Sequence, residues 1–253
     1  MARIVVFDSG LGSLSIIKPI QRKIRSEIIY FADQDRYPYG TKTSRELRII
    51  IKSTIKKLKE RFKPDLIVVA SNTPSLLLHP QRQAKVLGVY PPLKYAVKIT
   101  ATKTIAILAT RSVIKSRKLR HYINCQAPRG IKVIKIDASP LVELVESGKF
   151  ITEKEFCKKK IRKDLHLIEE KEVDVATLSS THLPFLLPLL KETFPSVTFL
   201  DPAESVAEKV TAILKHKRSK RGRLEIFASG DAKVFQKKLQ KLGLRNKVFH
   251  LSV

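Results

Sequence analysis

The chain has 253 residues, 43% of them hydrophobic, which suits one large or two ordinary folded domains and argues against wholesale disorder. Fifty Lys and Arg against 23 Asp and Glu give a formal charge of +27, and two scattered cysteines, Cys125 and Cys157, exclude a disulfide framework. No apolar stretch reaches the length of a membrane span, and Met1-Ala2-Arg3 leads into a strand without a signal-peptide pattern, so a cytoplasmic, membrane-free protein is expected.

Strand and helix patterns alternate along the chain. A strand over 3–7 ends in Asp8-Ser9-Gly10 and is followed by helical periodicity over 14–24. A strand over 28–31 leads to a Pro/Tyr/Gly turn at 37–41, then to an amphipathic helix over 44–62 with Leu47, Ile50, Ile51, Ile55 and Leu58 on one side. The strand 66–70 breaks into Ser71-Asn72-Thr73, and a helix over 74–86 and a short strand over 87–89 close on Pro91-Pro92, a domain crossing.

The second half restarts with a strand over 103–109 ending in Thr110, a helix over 112–124, a strand over 131–136 and helices over 140–147 and 153–170. The strand 173–178 ends in Ser179-Ser180-Thr181-His182 and precedes a helix over 184–193. A strand over 197–200, a helix from 205 to about 215, a basic loop over 217–223, a strand over 224–228 and a helix over 231–242 complete the pattern. Helical patterns of this length between strands predict βαβ units. The expected fold is therefore α/β: two pseudo-symmetric domains with mainly parallel sheets and flanking helices, 1–92 plus 204–253 and 93–203. The matched strand-end clusters are expected to line an active-site cleft between them.

These clusters resemble the glutamate racemases of the aspartate/glutamate racemase superfamily. The resemblance rests on Asp8-Ser9-Gly10-Leu11-Gly12, on Tyr30-Phe31-Ala32-Asp33, and on Tyr37-Pro38-Tyr39-Gly40-Thr41-Lys42. It continues through Ser71-Asn72-Thr73, the stretch 109–116, Leu141-Val142-Glu143 to Gly148, Ser180-Thr181-His182 and Ser229-Gly230-Asp231. The motifs run in family order over nearly the whole chain. The resemblance implies a cofactor-independent enzyme that moves the α-proton of glutamate between two faces with one cysteine from each domain. A thiol suits that work because both of its protonation states are accessible near neutral pH.

Both of those positions carry serine here, Ser71 and Ser180. A hydroxyl becomes a useful base or nucleophile only when another group takes its proton. Asp8 is the candidate partner for Ser71, and Glu146 and His182 for Ser180. The resemblance carries the substrate-binding groups onto Asp8, Ser9, Tyr39, Gly40, Asn72, Thr73, Thr110, Thr181 and His182, and implies an acidic amino acid or similar small dicarboxylate as ligand. The plainer reading is that Asn72, Thr73 and Thr181 simply cap the helices that follow. Ser13, Ala109 and Ser179 stand where the family has glycine, and Leu183 where an aromatic is usual. Scattered change of this kind favours natural drift over an engineered pair of serines.

Two functions follow as expectations. The first is a racemase-like protein with impaired or absent catalysis that binds an anionic partner such as RNA or a ribosome through distributed basic charge. Its phosphate contacts would be Lys56, Lys57, Arg117, Lys118, Lys158, Lys159, Lys160, Arg218, Lys220 and Arg221. The second is a working glutamate racemase supplying D-glutamate. No metal and no cofactor is expected, and a homodimer is the assembly the resemblance suggests.

Overall fold

The computed structural model describes residues 1–79, 84–217 and 221–253. The described residues form ten strands: β1 (Arg3–Asp8), β2 (Glu27–Ala32), β3 (Leu66–Val69), β4 (Val86–Gly88), β5 (Thr104–Ala109), β6 (Lys132–Asp137), β7 (Val175–Ser179), β8 (Thr198–Leu200), β9 (Arg223–Ala228) and β10 (Val248–His250). They form two sheets, β10-β9-β2-β1-β3-β4 and β6-β5-β7-β8, with every pair parallel. The chain divides into two compact units, Met1–Val89 with Ala203–Val253, and Tyr90–Pro202.

The two sheets share a plan. In unit 1 the first strand is central, the second lies on one side, and the third and fourth follow on the other. β5 to β8 repeat that order, and unit 1 adds β9 and β10 outside β2. The duplication seen in the strand-end motifs thus extends to the topology.

Burial on both faces explains the apolar runs. Ile4, Val5, Val6 and Phe7 of β1 are all 0% exposed, as a central parallel strand covered by helices requires. Successive side chains alternate between faces. Val5, Phe7, Ile29, Phe31, Ile67 and Val69 pack with Leu47, Ile51, Ile55 and Leu58 of the helix Ser44–Phe62. On the opposite face Tyr30 meets Phe235 of the helix Ala232–Lys241 edge to face. Unit 2 has its own core, in which Leu108 and Leu178 pack with Leu141, Leu144, Val145 and Ile161.

The helix Ser44–Phe62 starts where its sequence says it should. Thr43 Oγ1 accepts the Glu46 N–H at 3.2 Å and Glu46 Oε2 accepts the Thr43 N–H at 2.8 Å, a reciprocal capping box. Thr43→Ala is expected to cost about 1 kcal/mol of unfolding free energy, read from the midpoint of a urea transition.

Several boundaries differ from the sequence expectation. The helix expected over 153–170 is broken into Lys154–Asp164 and Leu167–Glu170, with an unexpected short helix Lys149–Thr152 before it, and that over 112–124 is broken into Arg111–Ile114 and Arg117–Gln126. In each case residues other than glycine and proline make the break, so helical periodicity carries across it. The helix expected over 74–86 ends at Leu78, with His79 in the left-handed region. The helix Leu93–Ile99 follows Pro91-Pro92, and β10 lies near the end of the chain; neither is in the expectation. The three-residue β10 is too short to show an alternation. Among the described residues no helix is long and apolar enough to cross a membrane.

Candidate functional site

In each sheet the chain leaves the first strand toward one side and later returns to the other. The pairs β1/β3 and β5/β7 are therefore the places where the crossover direction reverses, and the loops beyond their C-terminal ends part to leave a crevice. Asp8-Ser9 and Ser71-Asn72-Thr73 follow β1 and β3; Thr110 and Ser180-Thr181-His182 follow β5 and β7. Topology alone thus brings the expected residues of each unit to one crevice.

In unit 1, Asp8, Ser9, Tyr39, Ser71, Asn72 and Thr73 are all buried, and Gly40 lies in the single 3-10 turn Tyr39–Thr41. Asp8 Oδ1 accepts the Ser9 N–H at 2.7 Å, and Ser9 Oγ accepts the Tyr39 N–H at 3.3 Å. Ser71 precedes the helix Asn72–Leu78, and its hydroxyl makes no cap bond. Asn72 Nδ2 donates to the Val89 carbonyl at 3.3 Å, which fixes the amide orientation. Its Oδ1 is buried and has no hydrogen-bond partner among the described residues. An orphan acceptor of this kind is open to a donor from water or from a ligand.

In unit 2, His182 Nε2 and Glu146 Oε1 are 2.8 Å apart, with side chains only 7% and 5% exposed. A carboxylate only accepts, so with Glu146 ionised Nε2 carries the proton and Nδ1 is the basic nitrogen. Glu146 closes the helix Ser139–Glu146. Ser180 and Thr181 are 6% and 3% exposed beside this pair in sequence. Thr110 precedes the helix Arg111–Ile114 with its Oγ1 3.3 Å from Ser112 Oγ.

The capping alternative fails on position. Asn72 and Thr73 lie inside the helix, and Thr181 precedes His182, which is the residue flanking the 3-10 turn Leu183–Leu186. None of the three stands at a cap. The departures from family glycine are absorbed unevenly. Ser179 Oγ pairs with Thr177 Oγ1 at 2.9 Å, whereas Ser13 Oγ is buried without a partner among the described residues.

Three groups had no role in the sequence expectation. Asp33, 0% exposed, accepts from Tyr39 Oη at 2.8 Å, Arg36 Nη1 at 2.9 Å and Ser229 Oγ at 3.3 Å, and donates its own N–H to the Asp8 carbonyl. Arg36 Nη2 also donates to the Val253 carbonyl at 2.5 Å. The signal was available: Asp33 and Ser229 each follow a strand, and those strands pair at Ala32 and Ala228. Burial pushes the Tyr39 phenol well above its ordinary pKa, and the Asp33 carboxylate adds to the effect. Tyr39→Phe removes a bond to a buried charge and is expected to cost about 1.5–3 kcal/mol in urea unfolding.

The ten cations expected to touch phosphate are unevenly disposed. Lys158 meets Glu155 and Glu192, Lys160 meets Asp164, and Lys56 lies 3.9 Å from Glu60. Local carboxylates thus hold Lys158 and Lys160, which are only half-exposed. Lys57, Arg117, Lys118, Lys159 and Arg221 are exposed. Arg218 and Lys220 lie outside the described residues. Among the described residues no cluster of His, Cys, Asp and Glu has the makings of a metal site.

No protein-family model matches the chain. Relatives and solved structures do. The glutamate racemase of Actinobacillus pleuropneumoniae serotype 3 is 30% identical over 217 residues, covering 83% of this chain and 81% of that one. The glutamate racemase of Levilactobacillus brevis is 28% identical over 242 residues, covering 91% and 87%. The Escherichia coli glutamate racemase, solved with L-glutamate and the activator UDP-MurNAc-ala, superposes with a TM-score of 0.84 at 26% identity, covering 100% of this chain and 98% of that one. By sequence and by fold, the chain belongs to the glutamate racemase family.

Proposed function

We propose that this protein binds an acidic amino acid of the glutamate type and exchanges its α-proton slowly, through hydroxyls instead of thiols. The observation that carries the reading is where the thiols are. Cys125 is exposed on the helix Arg117–Gln126 and Cys157 is buried in the core of unit 2, while the loops leaving β3 and β7 carry Ser71 and Ser180.

Binding draws on groups that need no thiol. Asn72 Oδ1 suits an α-ammonium, and the small hydroxyls and backbone N–H groups around Ser9, Tyr39 and Thr73 suit carboxylates. The proton steps fall to Ser71 with Asp8, and to Ser180 with His182 and Glu146. An unactivated alcohol is a poor base at neutral pH, and only the unit 2 cluster has an imidazole close by in sequence. The family relatives favour retained racemase chemistry, and the serines limit its rate. Asn72→Leu is the test of the binding half: calorimetric titration with L-glutamate is expected to show binding in the unaltered protein and at least a tenfold weaker affinity in the variant. Equal affinity in the two would contradict the assignment.

An RNA or ribonucleoprotein partner gains no support from these relatives. Charge is what favours a polyanion, and it is lopsided. By sequence, unit 1 carries 30 Lys and Arg against 11 Asp and Glu, or +19, and unit 2 carries 20 against 12, or +8.

A further inference from the structure

The helix Ser44–Phe62 concentrates part of that excess on one ridge. At 3.6 residues per turn, Arg45, Arg48, Lys52, Lys56 and Lys59 fall within roughly 80° of one another around the axis and span about 21 Å along it. Four of the five are exposed and Lys59 is half-buried. Among the described residues Arg45, Arg48, Lys52 and Lys59 have no carboxylate partner, and Lys56 has only Glu60 at 3.9 Å on the solvent side. Glu46, the other acid on this helix, is turned back into the capping box. The helix Ser13–Lys23 differs: its Arg22 and Lys23 are held by Glu204 and Glu208.

We propose that this ridge is a docking surface for the phosphate backbone of a single-stranded nucleic acid. A row of cations about one helical turn apart, without competing carboxylates, matches a linear polyanion better than a compact one. A lipid surface is the poorer fit. An interfacial helix must sink an apolar face among acyl chains, and here Leu47, Ile51, Ile55 and Leu58 are already packed against the sheet. Ile49, 64% exposed, is the one large apolar side chain this helix shows to solvent. No base-reading motif accompanies the ridge, so contact is to the backbone and sequence-independent.

The test is the salt dependence of binding to fluorescein-labelled oligouridylate, followed by anisotropy. Five phosphate contacts predict a slope of log K against log salt near −3.5, at about −0.7 per contact. Replacing all five residues by Gln keeps helix propensity and is expected to flatten the slope to near zero, and each single replacement to reduce it by about 0.7. The comparison variant is Lys233→Gln/Lys237→Gln/Lys241→Gln. These lysines occupy an i, i+4, i+8 row on the helix Ala232–Lys241, against the other face of the sheet, and the variant is expected to keep the full slope. Absent binding at low salt, an unchanged slope in the five-residue variant, or an equal loss per charge in the comparison variant would overturn the proposal. Tighter binding to phosphatidylserine vesicles than to the oligonucleotide would overturn it too.

Discussion

Replacing Ser71 and Ser180 together by cysteine is expected to raise the rate of deuterium incorporation at Cα of glutamate by about 10²–10⁴-fold, the usual worth of a positioned acid–base group. Ser71 is the second residue beyond β3, after Ala70, whose N–H donates to the Phe7 carbonyl at 2.8 Å; Ser180 is the first residue beyond β7, whose Ser179 pairs with Ala109. Ser71 and Ser180 therefore occupy the same step in two copies of one topology. The two residues are 7% and 6% exposed, and sulfur for oxygen is a change of one side-chain atom. Single replacements are expected to gain far less than the pair, because exchange between faces needs a base on one and an acid on the other. A double variant that binds glutamate and exchanges no faster would show that these positions are not where the proton is handled.

Glu146→Ala is expected to destabilise the protein by about 3 kcal/mol. That value lies where the cost of an unmet buried hydrogen-bonding group meets the cost of a broken buried ion pair. The imidazole of His182 would lose the acceptor 2.8 Å away in a place water scarcely reaches. Glu146→Gln separates structure from chemistry. The amide keeps an oxygen for Nε2–H, so urea unfolding should change by less than about 1 kcal/mol. It no longer offers charge to an imidazolium, and the loss of charge assistance, about 1.4 kcal/mol, should slow exchange about tenfold. Equal loss of stability in both variants would mean that Glu146 serves only to fill and charge-balance the core.

Much of this was legible in the sequence because buried parallel strands leave a strong mark. Runs such as 66–69 and 175–179 are short, apolar and end abruptly in hydroxyls, and the physical cause is burial on both faces followed by a polar crevice. The helix Ser44–Phe62 was readable to its ends because the Thr43-to-Glu46 capping-box pattern and Pro64 mark them. What failed to read was punctuation without glycine or proline. The break at Leu165-His166 is carried by ordinary residues, so periodicity ran straight through it. The Asp33 hub went unread for a different reason. Its partners Arg36, Tyr39 and Ser229 are 3, 6 and 196 residues away, and only the pairing of β2 with β9 brings the last of them near. The plainer capping reading of Asn72 and Thr73 fails because the helix begins at Asn72, two residues before the expected start at 74.

The proposed pairing of a kept ligand site with a weakened proton site makes one measurement decisive. Purified protein is titrated with L-glutamate by calorimetry, and the same sample in deuterium oxide is followed by proton NMR for loss of the Cα–H signal. The account predicts saturable binding together with exchange at least about 100-fold slower than that of the Ser71→Cys/Ser180→Cys protein under the same conditions. Exchange in the unaltered protein as fast as in the double variant, or no binding of glutamate at all, would contradict it.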